Sequence, residues 1–212
     1  DLWSLGYPDQ ARRSIDSGLT LAHQLSHFLS EAFALNGAIG VTQACGELPT
    51  VERHVTRLIA LSHEQGLLYS RAWGKILQGW LLVQQGKAEE GIAQLRQGLV
   101  LVRLGGQELG IAYFMGLLAG ACETAGRISE GLAVVAEALT IGQRCGERFY
   151  DAELHRLKGE LTLRQSPVPS SQFPDANPQH LTSSLQAEAE EYFLKALALA
   201  RRELDLHVEL RA

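Results

Sequence analysis

The side chains spaced to do chemistry fall into four groups. His23 and His27 stand four apart, the interval that sets two imidazoles on one helical face within reach of one metal ion. No acidic third ligand accompanies them. His63 follows His23 at a distance of forty residues, and Arg103 follows His63 at the same distance. A cationic position near a helix C-terminus suits the macrodipole and explains these residues without a metal, so no metal or other cofactor is expected. Glu153, His155, Arg156, Lys158 and Glu160 crowd a second stretch. General acid–base work needs such groups to converge on a pocket that shifts their pKa values. These spacings instead spread charge around most of a helix, which reads as a solvated surface, with Arg156 left as a candidate contact for an anion in a groove. Gly86-Lys87 lacks the hydroxyl and the preceding strand of a phosphate loop, so ATP binding is not expected. Trp73 and Trp80, two turns apart, make the sharpest signal, since aromatic rings on a concave wall anchor peptides or sugars.

The totals narrow the classes of function. The 212 residues are 46% hydrophobic, enough to bury a continuous core without disulfides or metals. A net charge of -5 gives no electrostatic reason to expect nucleic acid or an anionic membrane as partner. Cys45, Cys122 and Cys145 are odd in number and widely spaced, which favours a reduced, cytoplasmic setting. The longest uncharged tract, Leu109 to Cys122, is too short to span a bilayer.

The elements that position these residues are set by a period of forty. Ile15, Val55, Leu95 and Val135 form one column, and Leu19, Ile59, Leu99 and Leu139 another. Ala32, Ala72, Ala112 and Ala152 form a third, and Gly6, Gly46, Gly86 and Gly126 punctuate the chain at the same interval. A period of this length predicts stacked helix pairs: an all-α, right-handed solenoid. The units run roughly 1–27, 28–65, 67–104, 107–145 and 148–204 in a single helical-repeat domain. Residues 166–184 hold four of the six prolines and read as a mobile insert in the last unit. Residues 205–212 read as the start of a further helix. Both ends fall inside a repeat, which predicts a piece of something longer. A column that favours small residues (Ala11, Val51, Gly91, Gly131, Ala189, with Gly18, Leu58, Gly98, Ala138 and Ala196 seven residues on) predicts close helix contact.

If the first helix of each pair lines a concave face, the groove columns are Phe33, Trp73, Tyr113 and Glu153, then Asn36, Ile76, Gly116 and Arg156, with Trp80 in a third. The same helix supports a second reading. Arg71, Lys75 and Gln78 form its polar stripe, and both tryptophans lie opposite, where a core would be.

The small-residue pattern resembles tetratricopeptide-like repeats stretched from 34 to 40 residues, without their full consensus. A closer resemblance is carried by residues 146–161, Gly-Glu-Arg-Phe-Tyr-Asp-Ala-Glu-Leu-His-Arg-Leu-Lys-Gly-Glu-Leu, with Gly79-Trp80, Gly86 to Ile92 and Ala196 to Arg202. These resemble the C-terminal repeat region of large bacterial regulators that carry a nucleotide cyclase or winged-helix domain, then a signal-transduction ATPase. The resemblance implies a non-catalytic sensing or binding region. Its partners would be other domains of its own parent chain, or a protein, peptide or small molecule held in the concave groove. A free-standing peptide-binding adaptor is the alternative. An enzyme on an α-solenoid is the reading of another class, against which stands the lack of a nucleophile–base pair or metal motif.

Overall fold

The computed structural model describes residues 2, 6–106, 108, 110–165 and 178–203. Among them the chain is all-α: α1 (Pro8–Gln24), α2 (Phe28–Ala44), α3 (Leu48–Glu64), α4 (Leu68–Gln84), α5 (Ala88–Leu104), α6 (Ile111–Thr124), α7 (Ile128–Cys145), α8 (Asp151–Leu163) and α9 (Pro178–Glu203). Consecutive helices pack antiparallel within two compact units, Asp1–Glu108 with α1 to α5 and Leu109–Ala212 with α6 to α9. Of the expected insert, residues 166–177 lie outside the described residues, whereas residues 178–184 open α9. The helix start expected at 205–212 also lies outside the described residues.

The forty-residue period resolves into two halves of twenty. The first five helices are 17 residues each and begin at residues 8, 28, 48, 68 and 88. Left-handed backbone recurs at the same interval, at Gly6, Ser26, Gly46, Gly66, Gly86, Gly106, Gly126 and Gly146. There the N–H of the next residue turns back to a carbonyl of the last helical turn: Lys87 to Leu82 at 2.9 Å, Arg127 to Cys122 at 2.8 Å. This closure satisfies orphan carbonyls and demands positive φ, which glycine adopts without a Cβ clash. Ser26 is the column's one side chain, at φ 50, and its closing bond from His27 to Ala22 is longer, at 3.3 Å. Ser26→Gly should therefore raise stability by about 1 kcal/mol. Thermal unfolding should register a midpoint roughly 2–4 °C higher.

The spacing slips at α6, and again at α8, which begins at Asp151 rather than 148. A start at residue 108 would keep the interval, but α6 begins at Ile111, after Gly110 at φ 80. The Gly110 N–H donates to both carboxylate oxygens of Glu147, at 2.9 and 3.0 Å, which ties the start of α6 to the end of α7. The slip at α6 coincides with the division between the two units.

The cores follow the columns. Ala32, Ala72, Ala112 and Ala152 are all buried, as are Val55, Leu95 and Val135. Small residues bring α5 onto α4: a Cβ on Gly91 would stand 2.6 Å from the Gly79 carbonyl oxygen, and one on Gly98 2.4 Å from Ile76 Cγ1. On α9, Ala189 and Ala196 are buried, and the Phe193 ring fills the space that a side chain at Gly159 would need. No helix among the described residues is long and apolar enough to cross a membrane.

Candidate binding cleft

Helix α4 shows how a site arises from its sequence. Ala72, Ile76, Gly79 and Val83 are buried on the flank toward α5, where Gly91 and Gly98 meet them. Gly74, Leu77 and Leu81 are buried on the other flank, where Gly74 abuts Ile59 of α3. Two narrow edges of the helix are left, one carrying Trp73 and Trp80 and the other Arg71, Lys75 and Gln78. At 3.6 residues per turn these edges are opposite each other.

The polar edge is concave. Arg71, Lys75 and Gln78 line a cleft of ≈ 410 Å³ together with Ile59 and His63 of α3 and Gln94 and Leu101 of α5. Gln94 Nε2 donates to Gln78 Oε1 at 2.5 Å and bridges α5 to α4 along one side. Among the described residues no carboxylate lines the cleft. Neither Arg71 nor Lys75 has an ion-pair partner among the described residues. Elsewhere in this unit Arg57 Nε meets Glu31 at 2.7 Å and Arg12 meets Glu47. Sequence reasoning isolated the Arg71–Lys75–Gln78 stripe but not the cleft. The signal within reach was that α4 contains no Asp or Glu to pair with its two cations.

The residues expected in the groove columns have differing surroundings. Phe33 is exposed, at 73%. Asn36 is half-buried, and its Oδ1 finds no hydrogen-bond partner among the described residues. Trp73 and Trp80 are half-buried, with the Tyr69 and Trp73 rings 5.7 Å apart. Ile76, wholly enclosed beneath Gly98, presents no surface to a ligand. In the second unit Tyr113 packs edge-on against Tyr150 at 5.3 Å, and the Tyr150 ring occupies the place of a side chain at Gly116. His23 and His27 do not share a helix. α1 stops at Gln24, and His27 caps α2, its Nδ1 accepting the Ser30 N–H at 3.3 Å. Among the described residues no group of three or more His, Cys, Asp or Glu could hold a metal ion.

The charges of α8 are buried and paired rather than solvated. Arg156 Nε and Nη2 donate to the Glu153 carboxylate at 2.9 and 2.8 Å, and Nη1 meets Glu160 at 2.5 Å. Burial opposes the guanidinium charge, but the bonds and proximity of Glu153, then Glu160, outweigh it and hold the pKa above the ordinary arginine value. Nearby on α6, burial and then Glu160 push the Glu123 carboxyl up, against the pull of Arg164 at 3.2 Å. Arg156 is thus engaged internally and not offered to an external anion.

His155 lies on the other side of α8, stacked on Tyr192 at 6.3 Å, while Lys158 sits over the same ring at 4.3 Å. Burial, then Lys195, with Lys158 and Arg148 adding, depress its pKa from 6.5 to about 4, despite the opposing pull of Asp151. Between those values the unfolded chain binds a proton that the folded chain refuses. Stability should therefore fall as pH drops from 6.5 toward 4, by on the order of 3 kcal/mol, with no further loss from this group below that. Urea titrations at pH 7 and pH 5 should show a smaller difference for His155→Phe than for the parent chain.

Known protein families give no match to this sequence, and neither curated proteins nor solved structures resemble it detectably.

Proposed function

We propose that the chain is a non-catalytic binding repeat module, the sensory part of a larger bacterial signalling or transcriptional ATPase. The observation that carries it is the α3–α4–α5 cleft, a concave surface with uncompensated cations on a packed helical frame. Ligand pockets of small molecules commonly fall in the same range of volumes. The parent is proposed from the likeness of residues 146–161 alone, since no family model matches the chain. The finer architecture we propose is a right-handed, tetratricopeptide-like superhelix, supported inside each unit by antiparallel packing of consecutive helices. A ligand on such a frame acts by favouring one arrangement of the parent over another, in proportion to its difference in affinity for the two.

The test mixes the purified chain with the ATPase portion of its parent and follows association and ATP turnover. Association with a changed turnover is the expected result. No association, together with capture of an unrelated protein that Trp73→Ala or Arg71→Ala abolishes, would make the chain a free-standing adaptor and overturn the cis-regulatory reading.

A further inference from the structure

We propose that the α3–α4–α5 cleft binds a small phosphate monoester, a dianion with a compact organic group. The inference rests on the reading of the chain as a binding module and names the ligand's chemistry. The first ground is charge. Arg71 and Lys75 stand one helical turn apart, His63 faces them from α3, and among the described residues no carboxylate shares the cleft. In a protein of net charge -5, two cations left without a partner among the described residues form a local excess of positive charge. The N-terminal end of α4 favours an anion, while the C-terminal ends of α3 and α5 oppose it, so the side chains decide the sign.

The second ground is valence and shape. A carboxylate carries one charge, whereas a phosphate monoester carries roughly -1.5 to -2 at neutral pH and three acceptor oxygens. The Arg71 fork engages two of those oxygens and the Lys75 ammonium acts as a point charge on the third. Ile59 and Leu101 supply apolar contact for the organic part, and the Gln78–Gln94 amide pair supplies polar contact at the far end. A volume of ≈ 410 Å³ admits an ester of sugar or aryl size.

The experiment is titration calorimetry on the full chain with phenyl phosphate, inorganic phosphate and benzoate at matched ionic strength. Arg71→Gln/Lys75→Gln is compared with Arg13→Gln/Lys87→Gln, which removes the same charge from exposed positions outside the cleft. Melting curves confirm that both variants fold. Phenyl phosphate should bind best, inorganic phosphate less well and benzoate least. The cleft variant should lose about tenfold or more in affinity and the control should lose little. No measurable binding of phenyl phosphate, equal losses in both variants, or benzoate binding as well as phenyl phosphate would overturn the proposal. A phosphoserine peptide bound more tightly through Arg71 and Lys75 would overturn the small-molecule assignment. If the phosphate arm fails while the parent's ATPase portion is still bound, the ligand class falls and the module reading stands.

Discussion

Arg156→Ala should destabilise the second unit by about 3–5 kcal/mol, because it removes the buried cation that bridges the Glu153 and Glu160 carboxylates. Glu153 is 7% exposed and accepts hydrogen bonds from Arg156 Nε and Nη2 at 2.9 and 2.8 Å. Water cannot replace them without opening the packing of α8. The cost belongs to the lost counter-charge rather than to the pair itself, and a second variant separates the two. Glu153→Leu/Arg156→Met removes both charges and keeps the volume, so it should recover most of the loss. Urea denaturation of both single variants and the double closes the cycle, and a coupling near zero would mean that the two side chains act independently.

The second large effect compares one substitution at two equivalent positions. Gly18 and Gly98 occupy the same place in their repeats, eighty residues apart. A Cβ at Gly98 would stand 2.4 Å from Ile76 Cγ1, 3.1 Å from the Ile76 nitrogen and 3.3 Å from the Ala72 carbonyl oxygen. Ile76 is wholly enclosed, and its Cγ1 hangs from a branched Cβ with little freedom, so α4 and α5 must separate. Gly98→Ala should cost about 1–3 kcal/mol through overpacking, even after the gain in helix propensity. At Gly18 an added Cβ meets nothing within 4 Å. There the propensity gain is unopposed, and Gly18→Ala should stabilise by up to about 1 kcal/mol. Thermal melts of the two variants should move in opposite directions. A shift of the same sign at both sites would mean that α4 and α5 are not in backbone contact.

Much of the frame was legible in the chain because it rests on local rules. The turn glycines must adopt positive φ wherever the chain folds back, and the alanine columns recur because each helix meets the next at the same height. The chemistry was less legible. Glu153 and Arg156 read as surface charge on spacing alone, since burial depends on which neighbours cover α8, and i,i+3 spacing is common to solvated and enclosed pairs. The tryptophans of α4 shared that ambiguity. A helix held on two flanks leaves two edges, and its periodicity cannot say which edge is concave.

The sequence by itself determined the forty-residue period, the sites of most turns and the all-α class. These follow from backbone sterics and from hydrophobic spacing within one or two turns. Only the tertiary structure decided that the polar stripe of α4 lies in a cleft, that the Glu153–Arg156 pair of α8 is buried, and that the contacts divide at Glu108 and Leu109. Each of these depends on residues brought together from different helices, or on which neighbour covers a face, and that arrangement is set by packing and not by any interval along the chain.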